Sequence, residues 1–316
     1  MTGEATVVKN AGSHYMLSML PDWNPFPAVL KGRIRLKSND STNPVAVGDH
    51  VLFETGAETP GEVTLENPAL ITEILDRKNF VVRKSTNLSR QSHVIAANID
   101  MAFAVVSLYF PEIKLPFLDR MLVTCEVYGV PVTIVMNKVD LYRNEAPEAV
   151  QNFIDIYTGA GYRVVQASAK TGEGIEELRG ICDGNVCLFS GESGVGKSSL
   201  IKALDPSLDP KVGKISVAHL QGKHTTSLYE MYRLTSGGAV IDTPGLRGFG
   251  LVNLEKEEIA RYFPEMLKVA ENCRFTPCTH THEPGCAVKE AVDNGEISPE
   301  RYSSYLGMIE EDKKFR

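Results

Sequence analysis

The sequence is short of several things, and each shortage removes a class of protein. No apolar run approaches the roughly 18 residues that a membrane-spanning helix needs; the longest candidate, VPVTIVM at 130–136, has the length of a buried strand. The N-terminus lacks a basic start followed by an apolar block, so no secretory signal is expected. The expected location is the cytoplasm, with no membrane partner. An excess of positive charge is also missing: Lys and Arg number 33 against 40 Asp and Glu, a net charge of −7. That argues against a generally sticky polycation, but not against a local basic face. No internal repeat or low-complexity tract occurs. Cysteines are few, six in 316 residues, and unevenly placed. Cys125, Cys182 and Cys187 stand in apolar segments as small buried hydrophobes, whereas Cys273, Cys278 and Cys286 cluster. In a reducing compartment such a cluster points to metal rather than disulfides.

What remains is a soluble globular composition, 43% hydrophobic and 23% charged, long enough for two or three domains of roughly 150 residues. Residues 1–76 carry short segments broken by turn formers: FPAVLKGRIRLK, PVAVGDHVLFE, GEVTLEN and ALITEILD. Such a pattern predicts a small β-barrel or sandwich. Within it Lys31, Arg33, Arg35 and Lys37 alternate with Gly32, Ile34 and Leu36. In one strand they would share a face. Arg77, Lys78, Arg83, Lys84 and Arg90 follow with only Asp76 opposing them nearby in sequence, which tilts the reading toward a phosphate-tracking surface.

From about residue 100 compact apolar strands (101–107, 130–136, 162–168, 185–190, 238–242) alternate with helical patterns near 117–128, 147–158 and 174–182. That alternation predicts a mostly parallel sheet covered on both faces. Beyond 250 the chain turns helical and polar. SPE at 298–300 offers an N-cap Ser and a Pro at the first position of a last helix.

The chemistry sits in that middle region. Gly191-Glu192-Ser193-Gly194-Val195-Gly196-Lys197-Ser198 is a complete phosphate-binding loop, between the strand VCLFS and the helical run that Ser199 continues. Its backbone N–H groups would cradle phosphates, Lys197 would reach the β- and γ-phosphates, and Ser198 would ligate magnesium. Asp242, opening DTPG, could hold Mg²⁺ through water, while the Gly245 N–H meets the γ-phosphate. GKHTTS at 222–227 offers Thr225 or Thr226 as a second hydroxyl for the metal. NKVD supplies Asn137, Lys138 and Asp140, whose carboxylate can accept both guanine donors. Ser168, Ala169 and Lys170 (SAK) can offer a backbone N–H to the base carbonyl. A site built on such hydrogen bonds can reject adenine strongly, which disfavours an ATPase or kinase.

These motifs stand in an unusual order. Moving phosphate loop, Thr loop and DTPG ahead of NKVD and SAK restores the usual GTPase chain, so this is a circular permutation. On these motifs, and on the basic front segment and C-terminal Cys/His cluster, the sequence closely resembles the circularly permuted, small-subunit-dependent RsgA GTPase family over most of its length. The resemblance implies an α/β fold: a circularly permuted P-loop GTPase domain at 77–250, behind an oligonucleotide-binding (OB) barrel at 1–76 and before a helical zinc-binding domain at 251–316. It also implies GTP hydrolysis, late maturation of the small ribosomal subunit, and GTP, GDP, that subunit and its rRNA as partners of a monomer. The alternative is a non-catalytic RNA-binding module that uses GTP as a structural ligand. After DTPG many GTPases place a Gln that orients water; here stands Leu246, and His224 is the nearest polar candidate. Cys273-x₄-Cys278-x-His280-x₅-Cys286 suits one structural zinc. His282 could replace His280, although the family pattern puts the ligand at the position of His280.

Overall fold

The computed structural model describes residues 1–32, 44–84, 92–208, 210, 229–243 and 254–314. Its N-terminal part is a closed five-stranded barrel: β1 (Thr2–Asn10), β2 (His14–Ser18), β3 (Phe26–Leu30), β4 (His50–Glu54) and β5 (Ala69–Ile74), in the order β1-β2-β3-β5-β4 and back to β1. Only the β3–β5 pair is parallel. Alternation in the sequence becomes alternation in burial, as in β3 and β4, where every second side chain faces the interior. Leu17, Phe26, Val51, Phe53 and Ile71 fill that interior.

The remaining strands are β6 (Phe80–Lys84), β7 (Ser92–Ala97), β8 (Met101–Val106), β9 (Val132–Met136), β10 (Arg163–Gln166), β11 (Val186–Ser190), β12 (Tyr229–Arg233) and β13 (Ala239–Asp242). β6 and β7 form a hairpin. The others form a sheet ordered β10-β9-β8-β11-β13-β12, parallel except for β12. Its central strands β8 and β11 are buried along nearly their whole length, as strands covered on both faces must be. Helices α1 (Leu115–Val127) and α2 (Pro147–Gly159) supply Leu118, Met121, Phe153 and Tyr157 to the core on one face; α3 (Ile175–Cys182) and α4 (Lys197–Leu204) supply Leu178, Leu200 and Ile201 to the other. β11, which carries the phosphate loop, lies beside β8 although β8 ends at Val106 and β11 begins only at Val186. The permuted chain order therefore leaves a continuous parallel sheet.

After residue 253 come α5 (Lys256–Ile259), α6 (Pro264–Ala270), α7 (Ala287–Asp293) and α8 (Pro299–Lys314). α8 starts where SPE predicts, with the Arg301 N–H on the Ser298 hydroxyl at 3.3 Å. These helices close their core, including Phe263, Met266, Val288 and Tyr305, around Val123 of α1. An ion cluster bolts the two parts together. Arg301 of α8, 1% exposed, reaches Asp119 of α1 at 2.7 Å and grips both oxygens of Glu265 at 2.7 and 3.1 Å.

The barrel is not a bead on a linker. β1 pairs antiparallel with β12 (Lys9 opposite Glu230), so barrel and nucleotide sheet form one 11-stranded sheet, and the Lys9 ammonium meets Glu230 at 2.8 Å. At the adjoining corner Val47 bridges Ala96. Gly48 there has φ +92, and a Cβ would lie 2.1 Å from the Ala97 carbonyl oxygen, so only glycine fits. Arg77 and Lys78 correct the expectation that little opposes them. Folding brings Asp49 to Arg77, with bonds of 2.6 and 2.7 Å, and pairs Lys78 with Asp100. Lys31 follows the end of β3 and pairs with Glu54 at 2.7 Å. Arg33, Arg35, Lys37 and Arg90, and the side chains of Arg83 and Lys84, lie outside the described residues.

Candidate active site

The strand order puts the C-terminal ends of β9, β10, β11 and β13 along one edge of the sheet, the edge at which open α/β sheets bind ligands. NKVD follows β9, SAK follows β10, the phosphate loop follows β11, and Asp242 closes β13. Four motifs spread over more than a hundred residues thus meet in one place.

Asn137 joins three of them. Its side-chain amide, 1% exposed, donates to the Val195 carbonyl in the phosphate loop at 2.8 Å and accepts from the Ala169 N–H in SAK at 3.3 Å. The Tyr142 hydroxyl donates to its main-chain carbonyl at 2.7 Å. Lys138 takes a left-handed conformation (φ +63) that turns its side chain across the phosphate loop, where the ammonium donates to Gly194 at 2.7 Å and to Phe110 at 2.5 Å. The Ser168 hydroxyl donates to Asp140 Oδ1 at 2.7 Å, and Lys170 lies 4.0 Å from Oδ2. One carboxylate is thereby oriented at the rim of the sheet.

Gly191 to Gly196 form the turn before α4. Gly196 caps this helix with φ +96, and a Cβ there would lie 2.3 Å from the Asn137 amide nitrogen. Glycine is therefore the condition for Asn137 to touch the phosphate loop. Lys197, 7% exposed, donates to the Gly191 and Glu192 carbonyls at 2.8 Å each, so its ammonium is held inside the loop. Burial pushes its pKa down, against the opposing pull of Asp242 and Glu192. Ser193 and Ser199 complete the loop and the first turn of α4.

Asp242 is the local acid. The Ser198 hydroxyl lies 3.4 Å from Oδ2, while Oδ1 is buried with no hydrogen-bond partner among the described residues. Burial raises its pKa to about 6 although Lys197 stands nearby. An orphaned buried carboxylate oxygen beside a Ser hydroxyl and a lysine is a fitting place for a hydrated Mg²⁺ with phosphate oxygens. His224, Thr225, Thr226, Gly245 and Leu246 lie outside the described residues.

A second cluster lies in the C-terminal part. The ligand atoms of Cys273, Cys278, His280 and Cys286 all lie within 4.8 Å of one another. His280 Nδ1 is 3.6 Å from Cys273 Sγ and 3.4 Å from Cys286 Sγ, and those sulfurs are 4.0 Å apart. Tetrahedral zinc with Zn–S bonds near 2.3 Å would need edges of roughly 3.8 Å, so the donor set fits such an ion. His282 is exposed, bonds Thr281 at 2.9 Å, and is not in the cluster. The Tyr302 hydroxyl on the His280 carbonyl and the Tyr305 hydroxyl on that of Thr279, each at 2.6 Å, tie this loop to α8.

The sequence reading missed the loop after β8, whose Phe110 carbonyl receives Lys138, and the Tyr142 contact to Asn137. Both act on main-chain atoms, and a main-chain carbonyl has no residue signature.

A parallel sheet with a phosphate loop, a guanine-reading motif and a metal-competent acid at one edge, in permuted order, defines a circularly permuted P-loop GTPase. Comparison with known proteins agrees. The family profile described as RsgA GTPase matches residues 74–252. The small ribosomal subunit biogenesis GTPase RsgA of Bacteroides fragilis is 46% identical over 98% of both chains, and that of Flavobacterium psychrophilum is 46% identical over 99% of this chain and 93% of its own. Among solved structures, YjeQ from Thermotoga maritima superposes with a TM-score of 0.76 at 32% identity, covering 98% of each chain. YloQ, titled a circularly permuted GTPase, gives 0.71 at 27% identity over 100% of this chain and 96% of its own. The chain belongs to the RsgA GTPase family, whose members hydrolyse GTP.

Proposed function

We propose that this protein hydrolyses GTP during maturation of the small ribosomal subunit, binding that subunit through its rRNA and responding to it with faster turnover. The observation that carries the proposal is the Asn137 network, which fastens base reader, SAK loop and phosphate loop into one pocket. Asp140 reads the guanine N1–H and N2–H₂, Lys138 brackets the ring, and the Ala169 N–H meets the base carbonyl. Lys197 and the N–H groups of Gly191–Ser199 hold the phosphates against the positive end of α4. Ser198, Asp242 and one of Thr225 and Thr226 would hold a Mg²⁺, which would supply positive charge against the phosphates.

Water then attacks the γ-phosphorus in line, and the bond to the bridging oxygen of GDP breaks. Leu246 occupies the position of the usual water-orienting Gln and has no group to orient water. Intrinsic turnover is therefore slow, with His224 the candidate for positioning water once the subunit is bound. Cys273, Cys278, His280 and Cys286 would hold a structural zinc, since four protein ligands would leave no open position.

The proposed units are the barrel at 1–76, the GTPase at 77–250 and the zinc domain at 251–316, in a cytoplasmic monomer. Lys31, Arg33, Arg35 and Lys37 form the proposed rRNA face. GTP turnover measured with small subunits, large subunits and free RNA tests this function. Stimulation by small subunits alone is expected; turnover indifferent to all three would contradict it.

A further inference from the structure

β8 leads into Ser107–Lys114, a loop along the flank of the phosphate loop. Pro111 packs over Gly194, its Cδ 3.7 Å from where a Cβ would sit, and Lys114 approaches Glu192 at 3.3 Å. The Tyr109 ring meets the edge of Tyr142, whose hydroxyl holds the Asn137 carbonyl at 2.7 Å. Between these anchors stands Phe110, with its carbonyl on the Lys138 ammonium at 2.5 Å. Its φ of +58 is a conformation that bulky side chains rarely adopt and that persists only where surroundings impose it. Its side chain is nevertheless 71% exposed, more than that of any other described Phe, Tyr or Trp. The backbone carbonyl is held by Lys138, and the apolar ring is left uncovered.

We propose that Phe110 is a nucleotide-positioning residue: its carbonyl holds Lys138 in place, and its ring forms an aromatic wall for the purine and ribose. This rests on the assignment of Asp140 and Lys138 as guanine readers. Every base has an apolar π-face, so a ring at this place adds affinity without choosing among bases. Base choice stays with the Asp140 carboxylate. Aromatic contacts to a base change affinity about fivefold to a hundredfold.

The test uses the full chain with Phe110→Ala, Phe110→Gly and Phe110→Tyr. Glycine accepts the positive φ and removes the ring without adding strain. GDP, xanthosine diphosphate and inorganic tripolyphosphate are titrated by competition against a fluorescent GDP. Expected are a roughly tenfold loss of GDP affinity in the Ala and Gly variants and a return to within about twofold of the parent in the Tyr variant. Tripolyphosphate, which has no base, binds all four proteins alike, and the preference for GDP over xanthosine diphosphate does not move. Unchanged GDP affinity without the ring would overturn the proposal, as would a parallel loss for tripolyphosphate, the sign of a disturbed phosphate loop. Asp140→Asn runs alongside: if it keeps the guanine preference, the guanine-site assignment itself fails, whatever Phe110 does.

Discussion

At the residue scale the site depends on a few groups that each satisfy two motifs. Asn137 holds the phosphate loop with its amide nitrogen and the SAK loop with its amide oxygen, and Ser168 aims Asp140. Asp140→Asn replaces an acceptor with a group that can also donate, so preference should move from guanine toward xanthine nucleotides. Competition binding checks this, and undiminished GTP affinity would remove the pocket assignment. Lys197→Ala deletes the ammonium held inside the loop and should abolish productive nucleotide binding while the barrel stays folded. Wild-type turnover would contradict it. That these positions meet was legible in the sequence because the roles proposed for them each demand one residue type: glycine at Gly196, where a Cβ would strike Asn137, or a carboxylate for paired donors. Phe110 was not legible, since its link to Lys138 uses a carbonyl that any residue carries.

At the scale of elements, strands and helices of the nucleotide domain follow their sequence patterns closely. Apolar runs become parallel strands, buried at the centre of the sheet and partly exposed in the edge strand β10, and the predicted helices near 117–128, 147–158 and 174–182 appear as α1, α2 and α3. What the pattern could not show is how α8 attaches. Arg301 and Asp119 are 182 residues apart, and a charge in a helical pattern reads as solvated until its partner is placed. Both are 1% exposed, and Phe263 lies 4.6 Å from the guanidinium. Arg301→Ala would strand two buried carboxylates, at a cost of about 3–5 kcal/mol. Urea unfolding should register that loss, and a shift under about 1 kcal/mol would mean that water takes over the role of Arg301. The Cys/His loop is anchored to the same helix by Tyr302 and Tyr305. If the proposed zinc holds this loop, a chelator or Cys278→Ala should expose 254–314 to protease while GDP binding persists. Equal protease resistance with and without metal would show that the helices do not depend on the ion.

At the scale of the whole molecule, the three regions are continuous. The barrel shares its sheet with the nucleotide domain through β1 and β12, and the C-terminal helices share a core with α1. Sequence patterns showed the barrel but not this join, because a two-residue ladder such as Lys9–Asn10 with Tyr229–Glu230 has no periodicity to read. The barrel therefore rests on β12, which pairs with β13 and so lies beside Asp242, while the C-terminal helices rest on α1, which follows the loop of Phe110. Replacing Arg33 and Arg35 together by Ala should weaken subunit binding and flatten its salt dependence, by roughly 0.7 to 0.9 in slope for each phosphate that is no longer neutralised. Intrinsic turnover should hardly change, and an unchanged slope would make that face merely solvated.

The proposed response to the small subunit requires that nucleotide state and subunit binding be linked, and the continuous body offers a path for that link. Linkage requires that a subunit preferring the GTP form raise GTP affinity by the same factor. The direct measurement is the affinity of the intact protein for small subunits, taken once with a non-hydrolysable GTP analogue and once with GDP. The account predicts tighter binding with the analogue, and a smaller difference in Cys278→Ala. Equal affinity in the two nucleotide states would contradict it.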